Sequence, residues 1–282
     1  MVPSFSPAFD CYNSLSARKA MNETAIRWTT LTWNPASGCD KVSEGCSFCY
    51  AESLAERKRG SPAFPVGFEL TIRPHKLKEP LRVKEPSLIF VNSMSDLFWE
   101  KISDEYRDQV LDVIEATPRH EYQVLTKRPE IMLAYSRRRR LPPNFWAGVT
   151  IESERVRGPR QELLRQVDAQ IRFLSLEPLL SALPGLDLDG ISWVITGGES
   201  GDHLSRPELL ERRGLVRRQG TKWVAREDRM DWVRDVRDKC VAAKVAFFHK
   251  QWGGPTSASG GYLLDGREWS EFPRLPIEKV AS

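Results

Sequence analysis

Short apolar runs recur along this chain, and most of them end in a knot of polar residues. Ile26–Trp33 alternates β-branched and aromatic positions, the period-two pattern of a strand. Similar runs follow at Phe68–Ile72, Leu88–Val91, Tyr122–Leu125, Phe145–Val149, Ile171–Leu176, Ile191–Ile195 and Val245–Phe248. Helical patterns lie between several of them. Tyr50–Arg57 reads as a helix ended by Gly60-Ser61-Pro62. Ser103 precedes Asp104 and Glu105 and caps a helix through Ile114, with Tyr106, Val110, Val113 and Ile114 on one face. Further helical stretches run from about Gln161 to Val167 and from Asp231 to about Ala243. Strands alternating with helices predict βαβ units and a parallel sheet. Repeated this often, they predict an α/β fold closing into a full or partial parallel (β/α) barrel. A doubly wound open sheet is the alternative.

The polar knots are Asn92-Ser93-Met94-Ser95-Asp96, Thr126-Lys127-Arg128, Thr150-Ile151-Glu152, Glu177-Pro178, Thr196-Gly197-Gly198-Glu199-Ser200 and His249-Lys250-Gln251. In a β/α barrel the C-terminal strand ends open on one face, and that face carries the active site. Solvated loops explain one or two such knots, but poorly explain charged groups after so many buried strands. The knots are therefore expected to line one pocket. Arg137–Arg140 precedes a strand, which places it in a solvated loop on the opposite face. Residues 202–226 carry Arg206, Arg212, Arg213, Arg217, Arg218, Lys222, Trp223 and Arg226 after a strand end. A basic lid over the site is expected there, with a variable surface loop as the plainer reading. Leu264-Asp265-Gly266-Arg267-Glu268-Trp269 reads as a hairpin with a type I′ turn.

Length and composition narrow the class. The 282 residues include nine tryptophans and 40% hydrophobic positions, ample for one large core. Residues 1–22, rich in Ser, Pro and Asn, read as a loose leader, and 23–282 as a single domain with an insertion at 202–226. The first twenty residues have no apolar core of a signal peptide and read as an extension. No run of eighteen apolar residues exists, so no membrane-spanning helix is expected. A net charge of +4 permits nucleic-acid contact without requiring it. Five cysteines, an odd number with three clustered, point to a reducing cytoplasm and a metal rather than disulfides.

That cluster lies in Trp33–Tyr50, directly after the first predicted strand. Cys39, Cys46 and Cys49 fall within eleven residues, and the last two form a C-x-x-C pair. Gly38 and Gly45 each precede a cysteine, where positive φ or close approach to sulfide is expected. A structural zinc site closes with four ligands, yet the next histidine is His75 and the next cysteine Cys240. A four-cysteine cluster fails for the same reason. An iron–sulfur cluster on three cysteines, with a position open, fits the spacing best. Zinc with a distant ligand, or inert thiols, are the alternatives.

Cys46-Ser47-Phe48-Cys49 resembles the second half of the radical S-adenosylmethionine (radical SAM) signature. The first gap departs from it, with six residues, Asp40–Gly45, where three are usual. The whole stretch resembles the three-cysteine-motif proteins of phages and bacteria, distant relatives of spore photoproduct lyase, over about Ile26–Pro273. The resemblance implies a 4Fe–4S cluster on Cys39, Cys46 and Cys49, bound S-adenosylmethionine with Phe48 beside its adenine, and an electron donor. It also implies a dedicated three-cysteine-motif partner protein. Radical SAM enzymes often hold the cofactor's amino group with a Gly-Gly-Glu after an early strand. Gly197-Gly198-Glu199 comes too late for that role, so Asn92, Ser93, Ser95 and Asp96 are expected to hold the amino group or ribose. Glu177 is a further ribose candidate, or a buried ion-pair partner. Lys127 and Glu199 are the catalytic candidates, Lys127 toward a carboxylate or phosphate and Glu199 toward substrate. The function expected is cleavage of S-adenosylmethionine to a 5′-deoxyadenosyl radical acting on a nucleotide or nucleic acid. A non-catalytic iron–sulfur protein binding nucleic acid or a partner is the main rival, and a zinc-dependent hydrolase the third.

Overall fold

The computed structural model describes residues 21–274 of the chain. The leader predicted for residues 1–22 lies almost wholly outside the described residues. Twelve strands and six α-helices follow one another within that range. Strand β1 (Asn22–Glu23) pairs antiparallel with β2 (Leu31–Trp33). The main sheet then continues in chain order through β5 (Leu88–Val91), β6 (Glu121–Thr126), β7 (Phe145–Thr150), β8 (Ile171–Leu176), β9 (Trp193–Gly197) and β12 (Ala246–Gln251). Every step from β2 to β12 is parallel.

Alternation along the strands explains the curvature. Ile89, Tyr122, Val124, Ala147, Val149, Leu174, Val194 and Phe247 pack into one large core with the helices. That core receives Val110 and Leu111 of α2 (Asp104–Glu115), Met132 and Leu133 of α3 (Pro129–Arg138), Leu164 of α4 (Glu154–Arg165) and Val233 and Val236 of α6 (Glu227–Ala243). The alternate positions, Leu88, Phe90, Trp146, Ile171, Phe173, Trp193, Ile195 and Phe248, form a second cluster with Trp28 and no helix residue. Helices on one face and a mutually packed concave face make a partial barrel of seven parallel strands. A doubly wound sheet would place helices on both faces.

Two threonines finish what the first strand leaves undone. Ile26–Thr30 is not strand: Thr29 N donates to Ile26 O, and Thr30 Oγ1 donates to Leu88 O and accepts from Leu88 N. The turn drops Trp28 into the concave cluster, within 4.6 Å of the Phe90 ring and 6.1 Å of Trp193.

Several boundaries differ from the sequence pattern. Phe68–Ile72 supplies only the two-residue β4 (Thr71–Ile72), paired with β3 (Ala36–Ser37) outside the main sheet, because β2 pairs directly with β5. There are therefore seven parallel strands rather than eight. Helix α4 starts at Glu154, earlier than expected, and carries Pro159 inside it; burial of Arg160, Gln161 and Leu164 offsets the donor that the proline lacks. Helix α3 has no counterpart in the pattern, and Arg137 and Arg138 close its last turn. Other expectations hold: α1 spans Tyr50–Arg57, Ser103 accepts from Tyr106 N at 3.3 Å, and Asp265 and Gly266 both take positive φ in a two-residue turn.

Candidate functional site

The polar knots gather at the C-terminal ends of the strands, and the cysteine loop after β2 is sewn to its neighbours there. Gly38 N donates to Met94 O at 3.0 Å, and Ser95 Oγ donates to Gly38 O at 2.7 Å. Asn34 Oδ1 accepts from Ser93 Oγ and Met94 N. The Tyr50 hydroxyl donates to Ser93 O at 2.5 Å, while its ring stays exposed and within the field of Cys49 and Glu177. Gly38 has φ of +93°, and a Cβ there would meet Glu69 O at 2.3 Å. That glycine is required by the segment that supports the loop from outside. Gly45 does not take positive φ; it lies against the Glu152 side chain instead.

Arg128 is the hub of the first half of the rim. Its guanidinium, 2% exposed, donates to Asp40 O at 3.1 Å, Glu100 Oε2 at 3.0 Å and Asp96 Oδ2 at 3.3 Å. It also reaches Cys39 Sγ at 3.3 Å. Asp96 accepts from Thr126 Oγ1 and Lys127 N as well. Burial first, then Asp96, pushes the Cys39 thiol up to about 11, and Arg128 pulls against both. Glu152, fully buried, is bound by Arg160 at 2.7 Å. Burial would raise its carboxyl, yet Arg160, Ser43 and Lys127 together hold it below the usual range.

The second half of the rim holds two more ion pairs. Lys250 Nζ donates to Glu177 Oε1 at 2.6 Å, joined by Gln251 Nε2 at 3.4 Å. Arg213 grips both oxygens of Glu199, at 2.5 and 2.7 Å. Gly198 makes that corner possible, since a Cβ there would meet Trp252 O at 2.0 Å.

The residues named from sequence thus share one rim, but many are engaged with protein. Ser93 and Ser95 bind the cysteine loop, Asp96 and Glu199 bind arginines, and Glu177 binds Lys250. Phe48 stacks on His203, centroids 4.0 Å apart and planes 6° off parallel. Asn92 differs: it is buried at φ +56°, and both its amide atoms lack hydrogen-bond partners. Arg128 and Lys250 fall in knots expected to line the pocket, and Arg213 in the expected basic lid. Their buried ion pairs were not legible in the sequence, because the partners are distant in the chain.

Cys39, Cys46 and Cys49 are unpaired and half-buried on this rim. Among the described residues no three His, Cys, Asp or Glu side chains are grouped closely enough to hold a metal ion. The donor chemistry nonetheless suits a thiolate-bound group: three free thiols on one supported loop, with the Arg128 guanidinium beside the first. Among the described residues no helix is long and apolar enough to cross a membrane.

No curated protein matches the chain in sequence. Among solved structures, it is similar to spore photoproduct lyase complexed with dinucleoside spore photoproduct, at 13% identity and a TM-score of 0.49, covering 80% of this chain and 77% of that one. A mutant of the same lyase with bound AdoMet and dinucleoside spore photoproduct gives 12% identity and a TM-score of 0.48 over the same shares. Matched over residues 23–273, the chain belongs to the family described as "Protein of unknown function (DUF5131)".

Proposed function

We propose that this protein is an iron–sulfur enzyme of radical SAM type acting on a nucleotide or nucleic-acid substrate. The observation that carries the reading is the placement of Cys39, Cys46 and Cys49. They lie on one loop after the first parallel strand, at the open end of a partial barrel, knitted to the strand-end loop Asn92–Asp96. Those three thiolates would hold a 4Fe–4S cluster with one iron left free, and such a cluster, reduced by a donor, would supply the electron for reductive cleavage of S-adenosylmethionine into methionine and a 5′-deoxyadenosyl radical.

The chain's own residues then have distinct tasks. Arg128 beside Cys39 favours its thiolate against burial. Asn92, with donor and acceptor unspent, offers both to the cofactor's polar groups. Lys127, in the field of Glu152, is placed for a carboxylate or phosphate. Trp28, Trp146, Trp193, Phe173 and Phe248 seal the opposite end of the barrel against water.

Charge supports a polyanionic substrate. Residues 202–226 carry seven basic and three acidic side chains, so their net +4 equals that of the whole chain. Arg206, Arg212, Arg217, Arg218 and Lys222 are exposed there, at the edge of the same rim.

Anaerobic reconstitution, reduction and addition of S-adenosylmethionine should yield 5′-deoxyadenosine, read by chromatography. Cys46→Ala should lose both iron and cleavage. An intact cluster that leaves the cofactor whole would replace this reading with a binding protein. Zinc without iron in protein purified without air would replace it with a hydrolase.

A further inference from the structure

The main sheet runs from β2 to β12 without a hydrogen-bonded ladder joining those two strands, so the barrel has a seam between its first and last members. At the rim this seam is crossed by side chains. Arg213 closes α5 (Pro207–Arg213), in the insertion that follows β9. It is 1% exposed despite its charge. Two of its nitrogens bind Glu199 at the end of β9, and Nη2 also donates to Glu44 O in the cysteine loop at 3.1 Å. Nη1 reaches the Glu44 carboxylate at 3.5 Å. Its guanidinium carbon lies 5.1 Å from the centre of the Phe48 ring. His203, from the same insertion, covers Phe48, with Nε2 3.1 Å from Glu199 Oε2. Glu44–Phe48 is the stretch that carries Cys46 and leads into Cys49.

We propose that Arg213 is the positioning residue of the cysteine loop, a cross-seam strap that Glu199 orients and that fixes Cys46 and Phe48 at the rim. A lysine could supply the charge but not the fork that reaches Glu199 and Glu44 O together. The basic insertion thus has two parts. Its exposed cations face solvent, while one buried arginine serves the loop. Glu199 acts through Arg213 and is not a free acid or base. The iron readout below rests on the cluster reading; the strap itself does not.

Two measurements on the full chain keep these apart. Hydrogen exchange of the metal-free protein should show faster exchange over residues 43–49 in Arg213→Ala, with far-ultraviolet circular dichroism unchanged. Arg226→Ala, at the end of the same insertion, removes ion pairs to Glu211 and to Asp228 of α6 and should leave residues 43–49 as in wild type. After anaerobic reconstitution, Arg213→Ala should hold iron about 10- to 100-fold more weakly. Arg213→Lys should recover part of the loss, and Glu199→Gln should weaken iron retention less than Arg213→Ala. Unchanged exchange over 43–49 in Arg213→Ala overturns the strap, whatever the iron content. Wild type that takes up no iron overturns the cluster reading and leaves the exchange result to decide the strap. If Arg213→Ala fails to fold, Arg213→Lys decides: exchange over 43–49 and iron retention equal to wild type overturn the proposal.

Discussion

The two ends of this barrel are made by the same seven strands and could hardly differ more. At the N-terminal end, Trp193 lies within 6.3 Å, centroid to centroid, of Trp28, Trp146, Phe173, Phe248 and Phe272. At the C-terminal end the same strands finish in Asp96–Arg128, Glu152–Arg160, Glu177–Lys250 and Glu199–Arg213 pairs. The floor is held by dispersion and area removed from water, which has no direction. The rim is held by charged groups that each demand a particular partner, so a small displacement there breaks several bonds. A floor of this kind can be altered without touching chemistry, whereas a rim of this kind ties stability to ligand binding.

The largest effect expected is at the floor. Trp193→Ala should cost about 3–5 kcal/mol by denaturant unfolding, with iron loading per folded chain unchanged. Loss of iron in that variant would erase the distinction between the ends.

At the rim, Asp96→Ala removes the buried carboxylate from Arg128. Arg128 keeps only the exposed Glu100 carboxylate, so the loss of its buried partner should cost on the order of 3 kcal/mol, and iron loading should fall with it because Arg128 also bonds Cys39 and Asp40 O. Retained iron at reduced stability would show that Arg128 serves packing alone.

Glu121 at the floor and His249 toward the rim should answer pH with opposite signs. Burial pushes the Glu121 carboxyl, beside Trp146 at the floor, up to about 7 against the hydrogen bond from Trp146 Nε1. The folded chain keeps a proton there that the unfolded chain releases. Its contribution therefore falls as pH rises from the ordinary carboxylate range to about 7. Burial and the Arg27 charge push His249, toward the rim end of β12, down to about 3. The unfolded chain binds a proton there that the folded chain refuses. Its contribution is whole above about 6.5 and is lost as pH falls toward 3. In wild type the slopes oppose each other between the ordinary carboxylate range and pH 6.5. Buried His120, pushed down to about 4 by burial and then Arg119, adds to the His249 slope in the same window. Relative to wild type, Glu121→Gln should therefore shift the slope toward rising and His249→Gln should shift it toward falling. Identical profiles for both variants would remove the contrast.

The smallest effect separates the two arginine-rich segments. Arg138 and Arg139 bind Asp104, Asp108, Asp112 and Glu115 on α2, and Arg138 is exposed, so Arg138→Ala should change stability little and leave single-stranded DNA binding unchanged. Arg217→Glu with Lys222→Glu should weaken that binding and flatten its dependence on salt. Equal effects from both segments would sink the assignment of the basic insertion to a polyanion.

Local chemistry was legible from the start. The alternating runs Leu88–Val91 and Phe145–Val149, the Ser103 cap, the Asp265-Gly266 turn and the spacing of Cys39, Cys46 and Cys49 each depend on residues close in sequence. Period and capping are local properties, and so is the inference from repeated βα units to a parallel sheet. What only the tertiary structure decided is partnership. Glu199 and Arg213 are fourteen residues apart, Arg128 and Cys39 eighty-nine, and Arg213 and Glu44 one hundred and sixty-nine. No periodicity records which buried charge meets which, because a charge's cost or benefit is set by the groups packed around it rather than by its neighbours in the chain. The same reason hid α3 and the fate of Phe68–Ile72: one is fixed by its apolar face on the sheet, the other by pairing with Ala36–Ser37 beside the cysteine loop while β5 is the parallel neighbour of β2.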